Sequence, residues 1–278
     1  MAMFRVLAML CSTMVLLAES GWAQQTSNDL ELNGFCGVEV KGPIDVYVQQ
    51  SDRFAVRVSG PERLLNRLDL YVKDSTLVVR AKHALRKWYT SSEDAVKLYV
   101  QMPTVVMLKA SSSADLEATS AIEGQRLLVE AAGSSDVKLH EVRVDVLALR
   151  ASGASDIEAH KAVVARRVDI DASGASDVEV KKLSATDIRA TARGASDVDV
   201  AGPSTANRVK LEVSGSSDLS ASRLPCQQGI VNASGASSVS VHVSETLKGS
   251  LRGNSDLTVY GPCKTQVSSD SSSSMYRR

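Results

Sequence analysis

Residues 168–200 read VDIDASGASDVEVKKLSATDIRATARGASDVDV and contain two copies of one four-residue corner, Gly174–Asp177 and Gly194–Asp197. The corner recurs along the chain at Gly133–Asp136, Gly153–Asp156, Gly215–Asp218, Gly235–Ser238 and Gly253–Asp256, after a first copy without glycine at Ser112–Asp115. Successive fourth positions are 21, 20, 21, 20, 21, 20 and 18 residues apart. A fixed period of this length indicates a repeat architecture.

The residues on both sides of each corner alternate in polarity. Small or apolar side chains stand two, four and six residues before the glycine, as in Val168, Ile170 and Ala172, and four and six residues after it, as in Val178 and Val180. A period of two predicts a strand on each side of the corner. One coil cannot bury its apolar face alone, but stacking coils about 4.8 Å apart does so. All corners are alike, so neighbouring copies are expected to run parallel.

The fold prediction is therefore an all-β, single-stranded parallel β-helix of about 20 residues per coil. The regular solenoid is predicted over 109–261, after a strand-rich cap or irregular first coils over 28–108, with a loop at 82–95. Residues 262–278 are open to two interpretations, a degenerate last coil or a serine-rich tail.

The corner composition has a physical reason. Glycine permits a positive φ at the bend. Alternation carried through the corner places the serine of the third position inside and the aspartate of the fourth outside.

Composition and the first residues indicate an exported protein. Residues 1–23 resemble a secretory signal, with Arg5 before the apolar run Val6–Ala18 and small residues at Gly21 and Ala23. We expect the mature chain in the periplasm, on the outer surface or outside the cell. Thirty-two basic and 32 acidic residues give a net charge of zero. No basic stripe is visible in the sequence, which argues against nucleic acid as a partner.

A family resemblance rests on three motifs. They are the run Phe35–Val48 (FCGVEVKGPIDVYV), the Gly-x-Ser-Asp corners, and the closing segment Gly253–Gly261 (GNSDLTVYG). Together they resemble the head GIN domain family, whose members are described as "putative auto-transporter adhesins". The resemblance extends from about residue 33 to 270. It implies a β-helix fold in exported bacterial proteins, and it supplies no catalytic residues.

The acidic residues after the corners form the main candidate site. Asp156, Asp177 and Asp197 share one column, and the column two residues on contains Glu158, Glu179 and Asp199. Stacked carboxylates could bind a row of Ca²⁺ or similar hard cations, which prefer several oxygen ligands. Alternatively, each aspartate caps its own turn by accepting backbone N–H bonds, with the outer charges solvated. Ser238 in the aspartate column favours turn capping, because a hydroxyl can make the same bond.

Two of the three cysteines after the signal are candidates for a disulfide. Cys226 and Cys263 occupy similar positions in their coils, but the coils are two apart. Stacking alone separates them by about 9.6 Å, beyond the reach of an unstrained disulfide. The shortened last coil could relax that distance, so the sequence leaves the Cys226–Cys263 bond open.

The functional prediction is a non-enzymatic envelope or cell-surface module that binds a glycan or another protein. A polysaccharide-active β-helix enzyme and a purely structural periplasmic protein are the alternatives. Some parallel β-helices cleave polysaccharides with carboxylates, but here the acids follow the repeat, whereas grafted chemistry breaks a pattern. No residue set predicts an active site, and Ca²⁺ is the only cofactor considered.

Overall fold

A computed structural model describes residues 25–82, 95–203 and 205–278 of the chain. Strands make up 76% of it and helix 2%, and the strands wind into a β-solenoid of about eight turns. The predicted fold class is confirmed. The predicted signal, residues 1–23, and most of the predicted loop at 82–95 lie outside the described residues.

Nineteen strands and one short helix lie in the described part of the chain. The N-terminal elements are β1 (Gln25–Leu30), β2 (Gly37–Lys41), β3 (Asp45–Gln50), β4 (Ala55–Pro61), α1 (Glu62–Leu65), β5 (Leu68–Lys73), β6 (Thr76–Ala81), β7 (Lys97–Met102) and β8 (Met107–Ser111). The solenoid continues with β9 (Asp115–Gly133), β10 (Asp136–Gly153), β11 (Asp156–Gly174), β12 (Asp177–Gly194), β13 (Asp197–Val200), β14 (Ala206–Gly215), β15 (Asp218–Gly235), β16 (Ser238–Gly253), β17 (Asp256–Tyr260), β18 (Lys264–Ser269) and β19 (Ser274–Arg277).

The sequence repeat is also the spatial register. Strands β10 and β11 pair in parallel with Asp136 opposite Asp156 and Gly153 opposite Gly174. The same alignment of corner on corner continues from β11 to β12. A register shift within β11 falls between Ala159 and Ala162 when it pairs with β12, and it absorbs the alternation between 20 and 21 residues per coil.

The core is a narrow apolar column inside the coils. Inward positions on both sides of the corner are buried, as Val168, Ile170, Val178 and Val180 illustrate with at most 1% exposure. Valine, leucine, isoleucine and alanine fill almost the whole core. These side chains suit a space between closely spaced strands, because branched residues pack well on a pleated surface.

The N-terminal region does not stack in chain order. Strand β2 lies between β6 and β8 and pairs in parallel with both. Strand β3 likewise lies between β7 and β9. The coil that comes first in the sequence is therefore second in space. Antiparallel pairing covers this end of the stack, with β4 on β7, β1 on β4 and β5 on β6.

Residues 262–278 contribute β18 and β19, which pair in parallel with β16 and β17 respectively. Asp270 holds the turn between these two strands. Its carboxylate accepts hydrogen bonds from Gly253 N–H (2.7 Å) and Ser273 Oγ–H (2.7 Å). These bonds favour the ionised form and hold the pKa of Asp270 below its ordinary value.

Glycine is required at the corners for two reasons. The corner glycines have positive φ, for example 90° at Gly194. In addition, a Cβ at Gly194 would lie 2.6 Å from the carbonyl oxygen of Gly174 in the coil before. The Gly174 carbonyl oxygen accepts the Ala195 N–H at 2.7 Å. The close approach of the two backbones therefore leaves no room for a side chain.

The corner serines face inward, as the alternation predicts. The buried set, at most 1% exposed, is Ser135, Ser155, Ser176, Ser196, Ser217, Ser237 and Ser255. Ser176 shows their role, because its Oγ accepts the Ser173 N–H (3.1 Å) and lies within donating distance of the Ala151 carbonyl (3.2 Å) in the preceding coil. The buried hydroxyls thus hold both the turn and the contact between coils, and burial is tolerated because they are bonded.

Replacing a corner glycine tests this account. We expect Gly194→Ala to lower the free energy of unfolding by about 2–4 kcal/mol, because it combines a strained positive φ with a backbone clash. Gly124→Ala is the matched control, since a Cβ there meets no atom within 4 Å. Equal thermal unfolding midpoints for the two variants would contradict the steric role of the corner.

Candidate functional site

The strand that follows each corner presents two columns of outward side chains. The first, here called the aspartate ladder, runs through Asp45, Asp115, Asp136, Asp156, Asp177, Asp197, Asp218, Ser238 and Asp256. The second, here called the outer column, runs through Tyr47, Glu117, Lys138, Glu158, Glu179, Asp199, Ser220, Ser240, Thr258 and Tyr276. Strand alternation places both columns on one face.

These columns line a groove of about 820 Å³, here called the acidic groove. The ladder residues from Asp156 to Asp256 line the groove along its whole length. At its C-terminal end the groove is also lined by Tyr276, Arg277 and Arg278. The six residues predicted as a cation row all line this groove: Asp156, Glu158, Asp177, Glu179, Asp197 and Asp199. The structure therefore brings the whole predicted set together, within a longer row than the sequence analysis singled out.

The two columns differ in how their charges are compensated. In the outer column, Glu158 contacts His160 Nε2 (2.7 Å), Glu179 contacts Lys181 Nζ (3.3 Å), and Asp199 pairs with Arg223. Across the described ranges, the ladder carboxylates from Asp156 to Asp256 make no ion pair. The ladder is thus the less compensated half of the groove.

Four of the ladder carboxylates bond to the next coil rather than to their own turn. Asp218 Oδ1 accepts the backbone N–H of Ser238 at 3.3 Å. Asp115, Asp136 and Asp197 interact in the same way with the backbone of the ladder residue that follows each of them. The turn bond that the sequence analysis assigned to aspartate is made by the buried corner serines, because these hydroxyls point back into the bend.

Burial and crowding disfavour ionised carboxylates in the ladder. Partial burial raises the pKa of Asp45, Asp115, Asp136 and Asp197 above the ordinary aspartate value. Neighbouring ladder charges add to the rise, as Asp177 and Asp218 do for Asp197. Burial is the larger cause, and for Asp115, Asp136 and Asp197 repulsion between like charges one coil apart, about 4.8 Å, acts in the same direction.

The cation row remains a prediction. Within residues 25–82, 95–203 and 205–278, no group of three or more His, Cys, Asp or Glu side chains is arranged to hold a metal ion. Adjacent ladder carboxylates belong to different coils, and Asp197 and Asp218 interact with the backbone of the coil that follows.

The two candidate disulfide cysteines are buried and unbonded in this structure. Cys226 and Cys263 are 0% and 3% exposed, and both are free thiols. Val243 stacks directly on Cys226, and Cys263 belongs to the coil beyond, just before Lys264. Burial, with a smaller contribution from Cys263, raises the pKa of the Cys226 thiol to about 12. Pairing of these two residues therefore stays a prediction.

A second charged surface, which the corner motif does not indicate, lies on the other side of the corners. A groove of about 530 Å³ on the strands that precede the corners is lined by Arg166, Arg167, Asp169, Asp187, Arg189, Arg208, Lys210 and Lys248, among other residues. Its charged residues recur mainly seven and five positions before each corner glycine, as Arg208 and Lys210 do before Gly215. These are the outward positions of the same alternation, so counting charge by column would have revealed the surface.

Neutralising one rung tests the crowding of the ladder. We expect Asp197→Asn to raise the unfolding midpoint at pH 7, because the folded chain holds the Asp197 proton more tightly than the unfolded chain does. Ionisation therefore opposes folding at neutral pH. As pH falls through the raised pKa, the wild type protonates and regains this stability, so the difference should vanish in acid.

The control for this measurement is Asp145→Asn, an exposed aspartate on β10 outside the ladder. Thermal unfolding between pH 3 and 8 compares the three proteins. A midpoint for Asp197→Asn at or below that of the wild type at pH 7 would contradict the account.

The predicted cation row is tested by metal alone. If Ca²⁺ binds along Asp156–Asp199, the unfolding midpoint is expected to be higher in millimolar Ca²⁺ than in the presence of a chelator, because a ligand that binds only the folded state stabilises it. Identical midpoints in Ca²⁺ and chelator would contradict the row.

Comparison with known structures supports the fold. The chain is 21% identical to a "putative adhesin" from Parabacteroides distasonis, covering 92% of this chain and 98% of that one with a TM-score of 0.71. A "putative adhesin" from Parabacteroides merdae is 17% identical, with 92% and 96% coverage and a TM-score of 0.70. A "putative lipid binding protein" from Parabacteroides distasonis is 17% identical, with 91% and 96% coverage and a TM-score of 0.67. At these identities the likeness shows the fold alone.

Sequence comparison identifies the family. No curated protein matches the chain. The family described as "Putative auto-transporter adhesin, head GIN domain" matches residues 34–204 and 161–262, which together span most of the chain. The resemblance carried by the Phe35–Val48 run and the Gly-x-Ser-Asp corners is thereby confirmed, and the chain belongs to this head GIN domain family.

Proposed function

We propose that this protein is an exported, non-enzymatic, adhesin-like module that binds a glycan or a protein along the acidic groove. The observation that carries the proposal is the continuity of that groove, which is lined by six successive coils from Asp156 to Asp256. Five steps of about 4.8 Å give a length of about 24 Å. A straight groove of this length suits an extended polymer or a strand-like segment better than a compact small molecule.

The charge of the groove favours a partner with cationic groups. Its lining includes eight carboxylates, at Asp156, Glu158, Asp177, Glu179, Asp197, Asp199, Asp218 and Asp256, against the two basic residues Arg277 and Arg278. In the described part of the chain, Asp199 Oδ1 is buried without a hydrogen-bond partner. Unpaired buried acceptors are rare in folded proteins, so the charge of Asp199 is incompletely compensated within the chain.

The outer column adds polar and aromatic contacts to this surface. Toward the C-terminus its acids give way to Ser220, Ser240 and Thr258, and then to Tyr276, which is 56% exposed. Hydroxyl groups adapt to different hydrogen-bonding partners, and exposed tyrosine is common in binding surfaces. The outer column thus changes from charged to neutral side chains along the groove, as expected for a surface that binds a macromolecule.

The non-enzymatic part of the proposal rests on the regularity of the acids. Every carboxylate of the groove occupies a repeat position, and the raised pKa values follow from burial and from the other rungs. An active site adds a residue that departs from the scaffold pattern. Polysaccharide cleavage and a purely structural role remain the alternatives that the experiments below separate from binding.

Export and surface location are consistent with the family and with the chain. A family described as adhesin-like suggests an exported or surface protein. Among the helices that the structure describes, none is long and apolar enough to cross a membrane. We place the mature protein in the periplasm, on the outer surface or outside the cell, and cell fractionation tests this placement. A nucleic-acid partner is not part of the proposal.

Removing charge from the ladder tests the proposal. We expect the labelled triple variant Asp177→Asn/Asp197→Asn/Asp218→Asn to bind a glycan array and whole cells at least about tenfold more weakly than the wild type. The reason is that the variant lacks three carboxylates that would contact cationic groups of the partner. The fold should persist, since the substitutions relieve repulsion.

The matched control is Asp52→Asn/Asp145→Asn/Asp171→Asn, which removes three exposed carboxylates outside the acidic groove. Equal binding by the two triple variants would refute the groove as the binding surface. Release of products from acidic polysaccharides by the wild-type protein would instead establish the enzyme alternative.

A further inference from the structure

The molecule separates its charge into two grooves on either side of the corners. The groove that precedes the corners, here called the basic groove, is lined by Arg166, Arg167, Arg189, Arg208, Lys210 and Lys248 together with Asp169 and Asp187. Six positive and two negative side chains give it a net charge of +4. The acidic groove, with eight carboxylates and two arginines, has a net charge of −6. The two surfaces are opposite in sign although the whole chain is neutral.

Partial compensation within the chain leaves the basic groove positive. Asp169 binds Arg167 (2.9 Å), and Asp187 binds Arg208 (3.0 Å). At the rim, Glu212 binds both Arg189 (2.8 Å) and Lys210 (2.7 Å) and lowers the net charge to +3. Arg166 and Lys248 form no ion pair with any residue that the structure describes. These two side chains at opposite ends of the groove are therefore available to an outside carboxylate.

The charged positions of both grooves follow the same spacing. The basic groove contains two columns of residues that pair from coil to coil between β11 and β16. One column is Arg167, Asp187 and Arg208, and the other is Asp169, Arg189, Lys210, Ile230 and Lys248. The ladder Asp156, Asp177, Asp197, Asp218 pairs across the same coils. Both sets repeat at the strand spacing of about 4.8 Å. Four of the five coils of the basic groove carry a cation at these positions, and the β15 coil carries Gln228 and Ile230 instead. Two solenoids lying side by side therefore place a cation opposite the ladder in most coils.

We infer that the partner of the acidic groove is the basic groove of a second copy of this chain. The inference rests on the proposed function, because it names the occupant of the same groove. A second copy holds its cations on a rigid surface at the spacing of the ladder, whereas a flexible polycation has no fixed spacing. Ile230, 42% exposed among these cations, adds an apolar contact near the middle of the basic groove.

The geometry makes the assembly open-ended. Each copy carries one acidic and one basic groove in different places, so the contact is heterologous and every added copy leaves one groove of each kind free. Lateral chains or sheets of solenoids result, as suits homotypic adhesion between surfaces that carry the protein. Because the contacts are exposed charges, the association weakens steeply as salt shortens the Debye length from about 30 Å at 0.01 M to 3 Å at 1 M.

Two complementary variants test the inference. Arg166→Glu/Lys248→Glu reverses the basic groove without breaking an ion pair of the described chain, and Asp177→Asn/Asp197→Asn/Asp218→Asn neutralises the acidic one. Sedimentation velocity at low salt is expected to show concentration-dependent assemblies of wild type. Each variant alone should associate about a hundredfold more weakly. An equimolar mixture should form a one-to-one dimer and nothing larger, because one intact groove of each kind remains.

The control is Lys161→Glu/Lys182→Glu, which reverses two exposed lysines outside both grooves and should assemble as the wild type does. A monomeric wild type at low salt, or a mixture of the two variants that fails to dimerise, overturns the inference. The wild type could be monomeric while the aspartate variant loses binding to glycans or cells. That result would support the proposed function and refute only the inference that the partner is a second copy. If the aspartate variant keeps its binding to glycans and cells, the proposed function itself falls.

Discussion

The hydrogen bond between successive corners is the contact on which the whole structure depends. In each coil, the residue after the corner glycine donates its N–H to the glycine carbonyl of the coil before, as Ala175 does to Gly153 at 2.7 Å. This bond brings the two backbones so close that a Cβ on Gly174 would lie 2.6 Å from that carbonyl oxygen. Stacking the corners without offset places chemically equivalent side chains directly over one another, and the linear period of the sequence becomes columns in space.

Columns have different consequences inside and outside the solenoid. Inside, equivalent apolar side chains pack into a continuous core, and equivalent serines bond to the turns and to the neighbouring coil. Outside, equivalent carboxylates are brought within one strand spacing, where they repel and their pKa values rise. The charge crowding of the acidic groove is therefore produced by the regularity that stabilises the core, and an oppositely charged partner could relieve it.

Sequence and structure agree best where the repeat is strict. The columns that hold Asp156 and Glu158 could be assigned from spacing alone, because every corner has the same composition and strand alternation leaves only one choice of face. The inward serines followed from the same alternation, although the role of Ser176 in the turn did not, since the direction of a hydroxyl depends on the bend. The N-terminal region lacked the repeat, and its insertion of β2 between β6 and β8 could not be read from local patterns.

By itself, the sequence determined the solenoid, its register and its family, because a period of 20 or 21 residues with one inward face permits only stacking. Tertiary structure alone decided which charges compensate one another. Arg208 pairs with Asp187, and Glu212 with Arg189, across coils that are about twenty residues apart in the chain. The formal charges sum to zero along the chain, and the folding of each coil around its corner places the acidic and the basic residues in two different grooves.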